Sequence, residues 1–297
     1  MTPARADISY IHRESGELRT ERVYGERELR ILYETRWGAM LLHGAGKRSW
    51  FSYLASILYR SSMSRHRISS FITRYEIDST EAELPAAAYP SLDAFFARKL
   101  KPGARPVDPH PLRLTAPADG RVLAFAGLPQ GRLDIKGSSV DLAELSGGIG
   151  GFEPGACFVI RLAPCDYHRF HFPADGEASG SQLRGRHLHS VHPIALATGA
   201  ASFRNKRMVT MLMSEHCGRL LQIEVGALTI GSIVQTYTPG PVTKGQEKGY
   251  FHFGGSTVVL LAERDRIMPD QDLLDATAEG LETLVKVGTR IGKAPQD

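Results

Sequence analysis

Residues 250–261 read YFHFGGSTVVLL, a stretch in which two glycines come directly before a Ser-Thr pair and an apolar run. The apolar run is typical of a buried β-strand. Glycines at a strand entrance weaken it, because glycine loses more backbone entropy on folding than other residues do. Gly254 and Gly255 therefore indicate a bend, or a peptide bond before Ser256 that another group must approach closely.

Similar apolar runs recur from about residue 114 to residue 261, separated by breaks rich in Gly and Pro. This alternation predicts an antiparallel β domain. Residues 1–90 read instead as helical and loop material, and Ser91 is a suitable N-cap for a further helix. We therefore expect an α+β protein, with an N-terminal amphipathic helical region over residues 1–90 and a β-rich domain over residues 91–297.

Composition favours a cytoplasmic protein. Of the 297 residues, 42% are hydrophobic and 23% are charged, which is ordinary for a globular chain. The three cysteines form no C-x-x-C pair, so neither a disulfide framework nor a cysteine zinc site is indicated. No apolar run reaches the roughly 18 to 20 residues that span a bilayer, and the first residues lack the apolar core of a signal peptide.

The charge pattern indicates a membrane surface. Between Thr35 and Tyr75 there is no Asp or Glu, while the segment holds seven basic residues and both tryptophans, Trp37 and Trp50. Apolar residues also recur there at helical spacing. We expect this segment to place the protein peripherally on anionic lipid at the cytoplasmic side of the cell membrane. The alternative is an amphipathic helix packed on its own core. No nucleic-acid reading motif is present, so a nucleic-acid partner is not predicted.

A histidine cluster raises the question of a metal site. Five of the eleven histidines fall between residues 168 and 192, and His187 and His189 would share one face of a strand. This H-x-H pair is similar to the metal-binding pair of a cupin. The acidic ligand expected shortly afterwards is missing between Pro193 and Phe203, so we predict no bound metal.

Ser256 has two chemical interpretations. With a histidine and Asp119 it has the groups of a hydrolytic triad. The sequence FGGSTV is not the G-x-S-x-G elbow, however, because that motif leads into a helix and this serine leads into a strand. The second interpretation fits better: Ser256 Oγ adds to the carbonyl of Gly255 and converts the amide into an ester, and the glycines permit the strained turn that this attack requires.

Elimination from such an ester cuts the chain between Gly255 and Ser256. It leaves dehydroalanine at the new N-terminus, which hydrolyses to a pyruvoyl group. This ketone can form a Schiff base with an amine and accept the electrons of a carbanion. Ser256 is therefore predicted to be the precursor of a pyruvoyl cofactor, and the mature protein a heterodimer of residues 1–255 (β chain) and 256–297 (α chain).

From about Ser91 to its C-terminus the chain resembles the phosphatidylserine decarboxylase family. The resemblance rests on SLDAFFARKLKPGARPVD, APADGRV, DYHRFHFPADG, SVHP, FRNKR, EVGALTIGSI and KGQEKGYFHFGGSTVVLL, in that order. Many bacterial and mitochondrial members have Leu-Gly-Ser-Thr at the cut. This chain has Gly-Gly-Ser-Thr, similar to a second branch of the family.

The resemblance implies a role for each candidate residue. Ser256 is similar to the self-cleavage serine, Asp119 to the acidic member of the processing triad, and His171 to its base. His168 is similar to the histidine that acts in decarboxylation. The structural alternatives are an Asp-Gly turn for Asp119, a buried structural histidine for either His, and an ordinary strand hydroxyl for Ser256.

The implied reaction is decarboxylation of phosphatidylserine to phosphatidylethanolamine and CO₂ through a Schiff base with the pyruvoyl group. Phosphatidylserine in an anionic membrane is then the partner, and the basic segment between Thr35 and Tyr75 favours this lipid substrate. Two alternatives stay open: a pyruvoyl-dependent decarboxylase of a soluble amino acid, and a noncatalytic membrane-binding β domain. The sequence leaves homo-oligomerisation open.

Overall fold

The fold is built mainly from β-strands, with a few short helices. The computed structural model of the chain describes residues 9–21, 57–127, 131–135, 138–152, 155–185, 206–226, 233–254 and 256–295. The strands in these ranges are β1 Ser9–His12, β2 Glu17–Thr20, β3 Arg113–Thr115, β4 Gly120–Phe125, β5 Arg132–Ile135, β6 Ser138–Asp141, β7 Cys157–Leu162, β8 Arg169–His171, β9 Gly176–Ala178, β10 Gln182–Arg184, β11 Arg207–Ser214, β12 Gly218–Gly226, β13 Ile233–Gln235, β14 Gly240–Val242, β15 Glu247–Phe251, β16 Ser256–Ala262, β17 Met268–Pro269, β18 Glu282–Val285 and β19 Arg290–Lys293. The α-helices are α1 Ile68–Tyr75, α2 Leu92–Phe96, α3 Leu142–Ser146 and α4 Gln271–Ala278, and 3₁₀ turns cover Ser62–Arg67, Ser79–Glu81 and Ala86–Ala88.

Most of the strands join one large sheet in the order β14-β9-β11-β12-β16-β7-β4-β18-β1-β2, with β10 paired to β11. Among the described pairings of this sheet, only β1 with β18 is parallel. Smaller sheets are formed by β13-β15-β8, by β17-β19-β3 and by β5-β6. The expectation of an α+β protein dominated by antiparallel β-structure is confirmed at this level.

The central strand β16 is the apolar run that follows Gly255. Every residue of β16 is buried, and it pairs antiparallel with β12 on one side and β7 on the other. Its side chains alternate between the two faces of the sheet, so Val258 and Leu260 enter one hydrophobic cluster while Val259 and Leu261 enter another. Both faces are therefore covered, which explains why the run is apolar without alternation.

The N-terminal region differs in part from the predicted helical region. Residues 9–20 form the β1–β2 hairpin, which extends the large sheet through β18. Between Ser62 and Phe96 the chain is indeed mostly helical, and the Ser91 hydroxyl caps α2 by accepting a hydrogen bond from the Ala94 N–H. Residues 22–56, which include Trp37 and Trp50, lie outside the described residues. None of the described helices has the length and apolar character that a membrane span requires.

A third hydrophobic cluster joins these helices to the β domain. It contains residues from α1 and α2 together with Phe253, which lies three positions before Ser256. The Phe253 ring stacks on Tyr59 with 4.3 Å between centroids, and it lies 4.7 Å from Phe96 and 6.0 Å from Phe71. The helical segment is thus packed directly on the chain that leads into β16.

Candidate active site

Ser256 is the first residue of the central strand and is only 1% exposed. It pairs with Leu162 on β7 and with Gly226 on β12, so its backbone is fixed from both sides. The chain reaches it through Gly254, whose φ of +156° is rare for residues with a Cβ. Gly255 lies outside the described residues. A bend at Gly254, two residues before Ser256, agrees with the geometry that self-attack requires.

Asp119 lies at the same end of the large sheet as Ser256. Strands β4 and β16 run in one direction on either side of β7, where Arg161 pairs with Arg121 on one side and with Thr257 on the other. Asp119 and Ser256 come just before those two partners. Two strand spacings, about 10 Å, separate the backbones of β4 and β16.

The Asp119 carboxylate is buried and held by Arg105. Arg105 Nε lies 3.0 Å from both carboxylate oxygens, Arg105 Nη2 donates to Oδ2 at 2.7 Å, and the Val287 N–H donates to Oδ1 at 2.8 Å. Burial raises the pKa of Asp119, while the bonds from Arg105 and Val287 oppose that shift. The same guanidinium also binds Glu81 at 2.9 Å, so one cation joins two carboxylates.

His171 presents an unprotonated ring nitrogen. Its Nδ1 donates to the Gly245 carbonyl at 2.9 Å, which leaves Nε2 as the nitrogen with a lone pair. Among the described residues, this buried Nε2 has no hydrogen-bond partner. Burial lowers the pKa of His171, so the ring is neutral near pH 7 and can accept a proton.

The backbone of His171 is tied to the turn before Asp119, since its N–H donates to the Pro117 carbonyl at 2.7 Å. The two side chains make no hydrogen bond to each other. Asp119 is bound by Arg105, and His171 is oriented by Gly245. The structure thus brings the predicted acid and base into one region, where the carboxylate acts on the imidazole through space.

His168 is completely buried beside the aromatic cluster. Its Nδ1 donates to the Asp166 carbonyl at 3.0 Å, its Nε2 has no partner among the described residues, and its ring packs on Phe96 at 3.7 Å between centroids. Burial lowers the pKa of His168 to about 3. Its carbonyl accepts a hydrogen bond from the Phe251 N–H at 2.9 Å, which links this histidine to the segment before Ser256.

Two residues that contact this site were missed by the sequence analysis. Arg105 holds Asp119, and Asp93 binds the two consecutive residues His252 and Phe253. Both lie in the motif SLDAFFARKLKPGARPVD, which contributed to the family resemblance. The motif alone does not reveal which distant residue each one contacts.

The histidines considered for a metal pair, His187 and His189, lie outside the described residues. In the ranges that the structure does describe, no three or more His, Cys, Asp or Glu side chains are grouped so that they could hold a metal ion.

Comparison with known proteins identifies the family. The family model described as Phosphatidylserine decarboxylase matches residues 92–293, a span that contains Asp119, His168, His171 and Ser256. The chain belongs to the phosphatidylserine decarboxylase family. The resemblance predicted from about Ser91 onward is thus confirmed.

Similar members of the phosphatidylserine decarboxylase family match nearly the whole chain. The relative from Fusobacterium nucleatum is 38% identical over 291 residues, covering 96% of this chain and 97% of its own. The relative from Chlamydia trachomatis serovar L2 is 40% identical over 296 residues, covering 98% of each chain. Both are named phosphatidylserine decarboxylase proenzyme. These alignments therefore include most of the N-terminal region that the family model omits.

Proposed function

We propose that this chain is the proenzyme of a pyruvoyl-dependent decarboxylase that converts phosphatidylserine to phosphatidylethanolamine and CO₂. The observation that carries the proposal is the position of Ser256, fixed at the start of a buried central strand two residues after the bend at Gly254. Family membership and the proenzyme names of the relatives support it.

Self-cleavage begins with proton transfer from Ser256. His171 Nε2 takes the Oγ proton as Oγ attacks the Gly255 carbonyl, and the amide becomes an ester with a free amine on residue 256. Loss of the Ser256 α-proton then expels the Gly255 carboxylate and leaves dehydroalanine. Hydrolysis of dehydroalanine releases ammonia and gives the pyruvoyl terminus of the chain 256–297, while residues 1–255 form the partner chain.

Asp119 stabilises the positive charge that forms on His171 during this proton transfer. Arg105 supplies a bidentate cationic partner, and the Val287 N–H supplies a further donor, so both favour the ionised carboxylate. The contribution is electrostatic, because the carboxylate and the imidazole share no hydrogen bond in this structure.

The pyruvoyl ketone supplies an electrophilic carbonyl for the substrate amine and a sink for the electrons that CO₂ leaves behind. His168 is the residue that we assign to proton transfer in this reaction. Since Nδ1 is committed to the Asp166 carbonyl, Nε2 is the ring nitrogen that would take up a proton beside the negatively charged substrate and deliver it to the carbon that has lost CO₂. Packing against Phe96 keeps this nitrogen away from bulk water.

Exposed apolar and basic side chains support a lipid substrate. Leu58 is 64% exposed and Met63 is 75% exposed, and the exposed Arg65 and Arg67 follow them. Apolar side chains beside cations suit the interface of an anionic bilayer. Because this segment also packs on Phe253, surface binding would place the candidate site close to the lipid headgroups.

The deciding experiment combines intact mass with substrate choice. Purified wild type should appear as two chains cut before Ser256, the smaller one blocked at its N-terminus, whereas Ser256→Ala should remain a single chain. Processed protein should release CO₂ from phosphatidylserine vesicles. Release from a free amino acid alone would favour a soluble-substrate decarboxylase, and one uncut wild-type mass would favour a noncatalytic membrane-binding domain.

A further inference from the structure

Asp93 connects α2 to the residues that precede the proposed cleavage site. Its Oδ2 accepts a hydrogen bond from His252 Nδ1 at 2.7 Å, and its Oδ1 accepts one from the Phe253 N–H at 2.8 Å. The two oxygens of one carboxylate therefore accept hydrogen bonds from two consecutive residues that lie far from Asp93 in sequence. Arg60 Nε lies 3.6 Å from Oδ2 and adds a cation at the edge of this contact.

The carboxylate is buried, so its charge depends on these partners. Asp93 is 5% exposed. Burial raises its pKa, but the hydrogen bonds from His252 and Phe253, together with the electrostatic effects of His252 and Arg60, leave the pKa below its ordinary value. Charge-assisted hydrogen bonds of this kind are shorter and stronger than neutral ones. Asp93 thus binds the segment as an anion, and loss of its partners would leave a buried charge unpaired.

The side chain of Phe253 is fixed as well as its backbone. The ring lies between Tyr59, at 4.3 Å, and Phe96, at 4.7 Å between centroids. Phe253 is consequently anchored at two points, by the carboxylate of Asp93 and by aromatic packing.

Ser256 is anchored independently through its pairing with Leu162 and Gly226. Only Gly254 and Gly255 separate the two anchored residues. A short connection between two fixed points restricts the orientations of the peptide bond before Ser256. Holding reacting groups in this way can supply a large part of a rate enhancement, and a displacement of 1 Å can cost about a hundredfold.

We propose that Asp93 is a positioning residue for self-cleavage. Together with His252 it forms a clamp, defined here as the Asp93 carboxylate, the His252 imidazole and the Phe253 N–H, that holds the chain on the N-terminal side of the scissile bond. The clamp aligns that bond with Ser256 Oγ. This inference rests on the proposed function, since it assigns a role within the same cleavage reaction.

The clamp predicts a specific pattern of cleavage rates. Asp93→Ala should slow self-cleavage by about ten- to a hundredfold, because the scissile bond loses its fixed orientation. His252→Ala should slow it less, and the double variant should be no slower than Asp93→Ala, since both substitutions break one contact. His252→Asn, whose amide can donate from near the Nδ1 position, should restore much of the rate.

Asp270→Ala is the matched control. Asp270 is also a buried carboxylate, 7% exposed, and it binds Arg13 at 2.7 Å and Arg290 at 3.1 Å, neither of which belongs to the clamp. Its loss should lower the unfolding temperature without changing the cleavage rate. Cleavage is measured as the fraction of cut chain against time after synthesis. Stability is measured by thermal unfolding of each variant in the Ser256→Ala background, in which the chain stays uncut.

The outcomes separate this inference from the proposed function. If wild type is cut, and Asp93→Ala and His252→Ala are cut at the wild-type rate, the clamp is wrong and the proposed function stands. Equal slowing by Asp270→Ala at an equal loss of stability would also overturn the clamp. An uncut wild type would overturn the proposed function itself. Should Asp93→Ala fail to fold, the partly exposed His252 provides the decisive variants.

Discussion

Arg105 donates hydrogen bonds to both carboxylate oxygens of Asp119, the residue predicted to assist His171 in self-cleavage. A buried carboxylate without a cation would be protonated far more readily, because burial alone raises its pKa. The Arg105 side chain, together with the Val287 N–H, therefore favours the ionised form of Asp119. Replacing Arg105 therefore tests the electrostatic role of Asp119.

Arg105→Ala should slow self-cleavage by about tenfold or more near pH 7, and the rate should recover as pH rises. The reason is that the pKa of Asp119 would increase further, so its carboxylate would form only at higher pH. Arg105→Lys, which keeps the charge but loses the bidentate contact, should give an intermediate rate. The measurement is the fraction of cut chain against time from pH 6 to pH 9.

Arg113→Ala serves as the comparison, because Arg113 pairs with a different aspartate, Asp108, at 3.3 Å. It should cleave as wild type does. A wild-type rate and an unchanged pH profile for Arg105→Ala would remove the electrostatic role assigned to Asp119.

Substitution of His171 and substitution of His168 should affect different stages, self-cleavage for the first and decarboxylation for the second. His171→Ala should stall self-cleavage, because no other described base is assigned to Ser256, and the rate should fall by roughly a hundredfold or more. His168→Ala should be cut but should lose decarboxylation. Gel analysis of processing and CO₂ release from the processed protein check both statements. The reverse pattern, with His168→Ala uncut and His171→Ala matured, would show that their roles are exchanged.

His168 should also make stability depend on pH. Its folded-state pKa is about 3, against an ordinary value of 6.5, so between these values the unfolded chain binds a proton that the folded chain does not. Stability therefore rises with pH in this window and falls as the solution is acidified, by up to about 1.4 kcal/mol per pH unit for this one group.

His168→Gln removes the titrating ring and should give a shallower profile. The free energy of unfolding is measured by denaturant titration between pH 4 and pH 7, in the Ser256→Ala background so that one uncut species is present. His66→Gln, which replaces an exposed histidine, is the control for the loss of an imidazole. Identical slopes for His168→Gln and the parent would argue against a buried neutral His168.

Local sequence patterns predicted the central strand and the capped helix well. The apolar run after Ser256 and the hydroxyl of Ser91 act through neighbours close in sequence, so periodicity and capping rules apply directly. The β1–β2 hairpin was missed because its residues carry no such local pattern. All four residues of β2 are exposed, and its sequence ELRT shows no apolar alternation that would indicate a strand.

The sequence indicated which residues form the candidate site, but it did not indicate which residues contact one another there. Asp93 meets His252 across 159 residues, and Arg105 meets Asp119 through a loop that no periodic pattern describes. Such contacts depend on how the helices pack on the sheet. The sequence could indicate that Asp119 and His171 act together, but the fold determines that each is oriented by a different partner.

Membrane binding should depend on the exposed apolar side chains near α1. Replacing Leu58 and Met63 together by Ser should weaken binding to anionic vesicles by about tenfold or more, because burial of each apolar side chain in the interface contributes roughly 1.5 to 3 kcal/mol when complete. Replacing Arg65 and Arg67 by Gln should weaken binding mainly at low salt, since each basic residue near the surface adds about 1 kcal/mol and this attraction is screened by ions. Co-sedimentation with vesicles across a salt series measures both effects.

Leu18→Ser is the control for the apolar change, since Leu18 is 63% exposed but lies on β2 at the edge of the large sheet. It should bind vesicles as wild type does, and all these variants should still be cut before Ser256, because none replaces a residue assigned to cleavage. The Leu58/Met63 variant should also turn over phosphatidylserine in vesicles more slowly while keeping its activity on lipid dispersed in detergent, where surface docking is not required. Equal binding to neutral and anionic vesicles, with no loss in either variant, would mean that this segment packs only against the protein and that lipid reaches the site by another surface.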